Sequence, residues 1–130
     1  MAAIDGDDLV ITVTERYIVG GPTKRYSRGT MDIVGTGTYT TGGISLAKIS
    51  PAVPAHKRFG MDRQLDEVRI VGSLVDSNPG TSSVTDFDYK FNPVTKALVL
   101  YVSDDTDLDD EVGTGVAPGP RRLHWQANGW

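Results

Sequence analysis

The sequence predicts an all-β protein, an antiparallel β-sandwich of jelly-roll type with about seven or eight strands. Short stretches in which apolar and polar residues alternate recur along the chain, as they do in half-buried strands. Fifteen Gly and seven Pro separate these stretches, which favours many short strands with turns over long helices. The clearest stretch, residues 85–102, has the pattern of a complete β-hairpin.

The hairpin pattern has three parts. Aromatic residues alternate with charged ones over 86–91, so one face of the first strand is aromatic and the other is charged. The sequence Asn-Pro-Val-Thr at 92–95 predicts a tight turn, because proline presets φ and asparagine can bond its own backbone. Residues 97–102 then return with leucine and valine on one face, and that face requires a second sheet to cover it.

The other strands are predicted by the same alternation. Residues 8–19 and 24–35 are rich in β-branched and apolar residues at every second position. Residues 67–75 are partly apolar on both sides, which predicts a strand that is central or covered by a neighbouring element. Residues 35–43 contain too many glycines for a central strand and are expected to form a loop with bulges. Further elements are expected at 44–49 (a short apolar run), 59–65 (a single helical turn), 112–116 and 121–126 (two short strands).

A single domain is expected to span residues 1–130, because no stretch has the composition of a linker. Residues 1–8 are acidic and lack the apolar region of a signal peptide, so a flexible or partner-contacting arm is expected there. No run approaches the roughly 18 apolar residues that a membrane-spanning helix needs. The chain has no cysteine, which excludes disulfides and thiolate metal sites.

The net charge of −4 comes from one segment, 104–111, which holds six of the seventeen acidic residues. Outside it, 13 basic and 11 acidic residues give +2, and the basic residues are scattered, so nucleic-acid binding is not indicated. Asp105, Asp107 and Asp109 have the alternate spacing of Ca²⁺ ligands, but the glycine and glutamate of an EF-hand loop are missing. A solvated connecting loop is therefore the favoured interpretation, with a Ca²⁺ site as the alternative.

Motifs for catalysis are absent from the sequence. Ser45 lacks the second glycine of a nucleophile elbow, and the glycines of 35–40 depart from the dinucleotide-binding pattern. His56 and His124 lie far apart and lack the spacing of metal ligands. We therefore expect no catalytic residue, no metal ligand and no cofactor.

Aromatic residues leave a second class of function open. As exposed side chains, Tyr39, Tyr101, Trp125 and Trp130 would suit a carbohydrate-binding module. Tryptophans of this kind are more often core residues or interface anchors, because large aromatics dominate buried contacts. The carbohydrate-binding module is therefore the second choice.

Two segments together resemble small structural proteins of tailed bacteriophages. They are 37–46, Gly-Thr-Tyr-Thr-Thr-Gly-Gly-Ile-Ser-Leu, and 87–98, Phe-Asp-Tyr-Lys-Phe-Asn-Pro-Val-Thr-Lys-Ala-Leu. Those proteins carry a Y-x-T-G-G-x-x-L element and a later Y-D-x-x-T-G-K-L-like hairpin. The resemblance covers residues 26–103. It departs from the family at Lys96-Ala97, where Gly-Lys is usual, and 121–130 has no counterpart.

The resemblance implies a β-rich, non-enzymatic virion component, most simply a head decoration (cement) protein that binds the major capsid protein and stabilises the shell. It implies synthesis in the bacterial cytoplasm, a place on the capsid surface, and no nucleic-acid or membrane partner. Shell symmetry favours a homotrimer. A neck or tail location stays open, and the alternative is a carbohydrate- or receptor-binding β-sandwich module of a tail fibre. The expected partner contacts are the arm 1–8 and the loop 36–43, with the individual candidates Ile4, Tyr39, Thr40, Thr41, Trp125 and Trp130.

Overall fold

A computed structural model describes residues 2–18, 24–75, 87–102 and 110–130 of the chain. Within those ranges the protein is mostly β, with seven strands in two antiparallel sheets, which confirms the predicted all-β class. The strands are β1 (Leu9–Ile18), β2 (Arg25–Ile33), β3 (Ile44–Ser45), β4 (Leu65–Val75), β5 (Phe87–Asn92), β6 (Ala97–Val102) and β7 (Arg121–Gly129). A one-turn helix, α1 (Ala55–Arg58), lies between β3 and β4, and a 3₁₀ turn, Gly6–Asp8, precedes β1.

The larger sheet has the strand order β1-β2-β7-β4, and its central pair, β2 and β7, is regular over its whole length. Both edge strands are irregular: β1 has a bulge between Val13 and Glu15, and β4 has one at 65–67 and another at 70–72. A bulge adds one residue and shifts the alternation of faces. That shift accounts for the mixed apolar pattern of this strand, although β4 lies at an edge of the sheet. Of the two positions predicted for the strand, the central one is therefore wrong.

The smaller sheet has the order β3-β6-β5 and contains the predicted hairpin. Asn92 Oδ1 accepts hydrogen bonds from the backbone N–H groups of Val94 (2.9 Å) and Thr95 (3.3 Å), as the turn sequence predicts. Lys96 closes the turn with a left-handed φ of 54°. One feature differs from the prediction. Strand β6 is buried on both faces rather than one, because the loop backbone at Gly43 packs against it.

One hydrophobic cluster draws side chains from both sheets, among them Trp125 of β7 and Leu100 of β6. The Trp125 ring meets Phe59 edge to face, with ring centroids 4.7 Å apart and planes at 76°. Its other neighbour is the backbone of Gly29, which lies directly opposite on β2. A Cβ at Gly29 would lie 2.9 Å from Trp125 Cζ2, so the tryptophan occupies the space that a side chain on β2 would need.

The N-terminal segment 2–8 is packed against the body rather than extended as a free arm. Ile4 is buried, and its N–H donates to the Thr38 carbonyl at 2.8 Å. Asp5 caps the 3₁₀ turn through a capping box with Asp8. The Asp7 carboxylate accepts from the Ile49 N–H at 2.7 Å. These contacts replace the flexible arm that the acidic composition suggested.

Three predicted elements lie elsewhere than expected. The helical turn is α1, which lies at 55–58 rather than at 59–65. Pro54 precedes this turn, and Gly60, with a φ of 84°, follows its end. Residues 112–116 form no strand; a single bridge joins Glu111 to Tyr101, and a turn follows at 114–115. Strand β7 continues to Gly129, beyond the predicted 121–126. The segments between the predicted strands at 20–22 and 77–83, which contain several of the glycines and prolines, and residues 104–109 of the acidic segment lie outside the described residues.

Candidate functional site

The Gly/Thr loop, residues 36–43, is held from inside by one buried tyrosine. The Tyr39 side chain is fully buried, and its hydroxyl donates to Glu111 Oε2 at 3.0 Å. The same carboxylate oxygen accepts the Gly42 N–H at 2.7 Å. The backbone N–H of Leu100 donates to the tyrosine hydroxyl at 3.3 Å. One carboxylate therefore fixes both the anchor and the tip of the loop.

Residues 113–116 hold the loop along its other side. The Thr41 N–H donates to Thr114 Oγ1 at 3.0 Å, and the two threonine hydroxyls are 2.9 Å apart. The backbone of Tyr39 bonds in both directions, donating to the Val116 carbonyl at 2.7 Å and accepting from the Gly115 N–H at 2.8 Å. Thr40, Thr41 and Gly42 remain exposed. The loop thus presents a preformed edge of threonine and glycine backbone to solvent.

The pKa of Tyr39 is shifted by its surroundings, which include the Glu111 carboxylate. Burial raises the pKa of Tyr39 to about 12, and the neighbouring negative charge of Glu111 adds to that rise. The hydrogen bond from Leu100 acts in the opposite direction but does not cancel it. Tyr39 is therefore a neutral donor to Glu111 at every physiological pH.

The six predicted contact residues divide into two groups. Thr40, Thr41 and Trp130 have exposed side chains, Trp130 at 38%. Ile4, Tyr39 and Trp125 are buried in the core of the chain. The assumption that Tyr39 and Trp125 are exposed aromatics is wrong, because alternation along β7 turns Trp125 inward and the Glu111 bond draws Tyr39 inward. Tyr101 is half-buried.

A second surface, the outer face of the larger sheet, was missed by sequence reasoning. We define the outer face as the side of β1-β2-β7-β4 that points away from the core, where residues 15, 17, 26, 28, 126 and 128 project. Tyr17 and Tyr26 stack there with ring centroids 5.8 Å apart. The Glu15 carboxylate pairs with the Arg28 guanidinium at 2.5 Å. In β2, alternation places Tyr26 and Arg28 on the polar parity, which was the available signal. In β1, alternation places Glu15 and Tyr17 with the apolar residues Ile11 and Val13, and the bulge between Val13 and Glu15 turns them to the outer face.

Ion pairs fix charges elsewhere on the outer face. Arg122 binds Asp32 through two bonds, of 2.7 Å and 2.9 Å, and this pairing holds the pKa of Asp32 below its usual value despite partial burial. Lys24 Nζ lies 3.2 Å from Asp66 Oδ2 and 4.9 Å from the centre of the Trp130 ring. Burial alone would raise the pKa of Asp66, but hydrogen bonds from Gln64, Lys24 and Trp130 lower it overall.

A groove with a volume of about 680 Å³ separates the edge strands of the two sheets. Residues 67–71 of β4 form one wall and residues 87–91 of β5 the other. Phe87 and Phe91, which are half-buried, and Tyr89, which is buried, line the groove from the aromatic face of the hairpin, while Asp88 and Lys90 are exposed. The groove follows from the meeting of two edge strands, which the sequence did not predict.

Neither histidine is hydrogen-bonded to a carboxylate within the described ranges, although His124 lies near enough to Asp32 to help lower the pKa of that carboxyl. His56 lies on α1 and is half-buried, while His124 lies on the outer face opposite Thr30. Within the same ranges, no group of three His, Asp or Glu side chains is arranged to hold a metal ion. Of the acidic segment, Asp110 and Glu111 are described, and Glu111 is engaged by the Gly/Thr loop. No helix in the described part of the chain is long and apolar enough to span a membrane.

Comparison of the chain with protein-family models, with curated proteins and with solved structures finds no match.

Proposed function

We propose that this protein is a non-enzymatic structural component of a phage head, a decoration protein that binds the assembled shell and stabilises it. The observation that carries the proposal is the Gly/Thr loop. The segment that resembles the phage proteins, 37–46, is the segment whose exposed edge is preformed by Glu111. A preformed loop loses little conformational entropy when it docks, so more of its contact energy appears as affinity.

The proposal includes a fold in which the two antiparallel sheets stack as a jelly-roll sandwich. The core cluster supports this arrangement, because it joins inward residues of both sheets. In such a sandwich the loops gather at the ends. The Gly/Thr loop and the 113–116 turn that holds it would then present one continuous contact surface.

The docking surface of the loop comprises its exposed predicted contacts, Thr40 and Thr41. Trp130, the third exposed predicted contact, lies at the end of the larger sheet beside Lys24. The buried predicted contacts, Ile4 and Tyr39, hold the loop in place. The Ile4 N–H donates to the Thr38 carbonyl near the start of the loop, and the Tyr39 side chain anchors the middle of the loop. A standard interface buries roughly 1,600 Å² and spans micromolar to picomolar affinity according to its anchors. A homotrimer on a symmetric shell would multiply a modest single contact through avidity.

The test is co-sedimentation of the purified protein with phage heads that lack it. The wild-type protein is expected to bind and to raise the temperature at which the heads rupture. Thr40→Lys places a long charge on the exposed loop, where the Thr40 side chain makes no described hydrogen bond, and should weaken binding at least tenfold. Thr95→Lys makes the same change at the exposed β5–β6 turn and should bind like wild type. Failure of the wild-type protein to bind such heads would overturn the proposal.

The alternative, a carbohydrate- or receptor-binding module of a tail fibre, rested on four exposed aromatic residues. Tyr39 and Trp125 are buried, so that set of residues does not form a surface. The head-decoration proposal keeps its contact loop exposed and is therefore preferred.

A further inference from the structure

Two aromatic side chains exposed at the surface lie at the same end of the outer face. Tyr17 on β1 is 49% exposed, and Trp130, directly after β7, is 38% exposed. Between them Tyr26 stacks on Tyr17 with planes at 14°, and Asn128 lies opposite Tyr26 on the neighbouring strand. These residues form a continuous surface, which we call the aromatic end of the outer face. An exposed aromatic ring offers a flat apolar face against which the C–H side of a sugar ring can pack.

Polar side chains with planar groups surround these rings. A shallow depression of about 250 Å³ is lined by Glu15, Tyr17, Tyr26, Arg28 and Gln126. The Glu15–Arg28 pair, at 2.5 Å, fixes a carboxylate and a guanidinium side by side. Both groups keep unused hydrogen-bonding positions, as the guanidinium has five donors and the carboxylate about four acceptor sites. Paired planar groups of this kind suit the neighbouring hydroxyls of a sugar, which need a donor and an acceptor at fixed separation.

Amide side chains extend the polar surface towards Trp130. Gln126 is exposed and its side chain makes no hydrogen bond within the described part of the chain. Asn128 Oδ1 accepts from Lys24 Nζ at 3.3 Å, and Lys24 lies over the Trp130 ring. The fixed lysine thereby orients the Trp130 ring and the Asn128 amide. The surface is preorganised by its own ion pairs, which lowers the entropy lost on binding.

Charge determines which class of ligand fits. Three cations on this face have acidic partners: Arg28 with Glu15, Lys24 with Asp66 and Arg122 with Asp32. Arg69, exposed opposite Gln126 on β4, has no acidic partner among the described residues, but it does not line the depression. A phosphate, a nucleic acid or an acidic polysaccharide would have to compete with these carboxylates. A neutral ligand rich in hydroxyl groups meets no such competition.

We infer that the aromatic end of the outer face is a binding site for a neutral glycan. One sugar ring packs against the tyrosine pair within the depression and bonds Glu15, Arg28 and Gln126, and the chain of the glycan runs past Asn128 towards Trp130. The site is separate from the Gly/Thr loop. The inference therefore does not depend on the head-decoration proposal.

The test is titration calorimetry and amide-shift mapping of the full chain with neutral oligosaccharides, namely β-linked glucose, N-acetylglucosamine and galactose oligomers and α-linked mannose and glucose oligomers. At least one is expected to bind and to shift the amides of Tyr17, Tyr26 and Gln126. Tyr17→Ala and Gln126→Ala should each lower the affinity, Tyr17→Ala by about tenfold. Gln126→Ala removes an exposed amide only, so its effect is independent of any loss of stability in the Tyr17 variant.

Ile18→Ala is the matched control. Ile18 is the next residue of β1, is 59% exposed and points to the opposite side of the sheet, so its loss should leave glycan binding unchanged. Absence of binding by every oligosaccharide at millimolar concentration would overturn the inference. Binding that survives both Tyr17→Ala and Gln126→Ala would overturn it as well. Loss of head binding in these variants, without glycan binding by the wild type, would assign the surface to a protein partner instead.

Discussion

The hydroxyl of Tyr39 donates to the carboxylate of Glu111 at 3.0 Å and joins the middle of the Gly/Thr loop to a residue that is distant in sequence. The same carboxylate accepts the Gly42 N–H at 2.7 Å. Glu111 also forms the bridge to Tyr101 of β6, so the loop is tied to the smaller sheet through this residue. The Glu111 side chain therefore supports the shape of the loop, together with the contacts that residues 113–116 make along its other side.

Removal of that carboxylate should loosen the loop. In Glu111→Ala, Tyr39 and Gly42 lose their acceptor, and the free energy of unfolding is expected to fall by about 1–3 kcal/mol. Hydrogen exchange should accelerate at Gly42 and Thr41 before it does at the core strands. Asp110→Ala removes the same charge from an exposed neighbour and should change stability by less than about 0.5 kcal/mol. Equal exchange rates in both variants would contradict the assigned role of Glu111.

Stability should decline in alkali because of Tyr39. The pKa of this tyrosine is raised from 10.0 to about 12 in the folded protein, so the folded state keeps its proton where the unfolded state has lost it. The contribution is fully present below pH 10 and is lost as the pH rises from 10 towards 12. Tyrosinate absorbance should show a late phase, and Tyr39→Phe should reduce its amplitude by one tyrosine. A Tyr39→Phe variant that retains the full amplitude of the late phase would refute the assignment.

Gly29 is expected to tolerate no side chain. A Cβ at this position would lie 1.8 Å from the Thr12 carbonyl oxygen and 2.9 Å from the Trp125 ring. Gly29→Ala should therefore lower the unfolding free energy by about 1–3 kcal/mol or prevent folding. Gly113→Ala is the control, because a Cβ there meets nothing within 4 Å. Thermal unfolding of the two variants compares them directly, and similar melting temperatures would disprove the packing argument.

Arg58 is expected to stabilise the fold, because its guanidinium joins three backbone carbonyls. One of its guanidinium nitrogens donates to the carbonyls of Gly6 (2.9 Å) and Leu46 (2.8 Å), and the other donates to the carbonyl of Leu9. Burial lowers the pKa of Arg58, and Asp7 partly offsets that effect.

Arg58→Ala leaves these carbonyls without their donor, and the expected loss is about 2–4 kcal/mol in a denaturant titration. Arg58→Lys should recover only part of it, because a single ammonium cannot reach the same three acceptors as a planar guanidinium. Lys57→Ala, at the exposed neighbouring position, should leave the denaturation midpoint unchanged. A loss as large in Lys57→Ala would show that the helix, rather than the guanidinium, is responsible.

Local signals accounted for most of the strands. The hairpin at 87–102 follows from alternation and from the Asn-Pro turn, both of which act within a few residues. The edge position of β4 could not be predicted, because its bulges shift the alternation and imitate a strand buried on both sides. The same limit applies to Tyr39 and Glu111: an aromatic residue in a Gly/Thr loop gives no local sign of a carboxylate 72 residues away. The outer face was visible as the polar half of β2 and β7, but not in β1, where the bulge after Val13 reverses the faces.

The bulges of β1 and β4 carry one more consequence. An edge strand with regular spacing invites another molecule to extend the sheet by backbone pairing, whereas an interrupted one offers no continuous template. Both margins of the larger sheet are interrupted in this way, while the β2–β7 pair is regular. Many copies of the protein could therefore lie at high local density on one surface without forming fibrils through backbone pairing at the edges of the larger sheet.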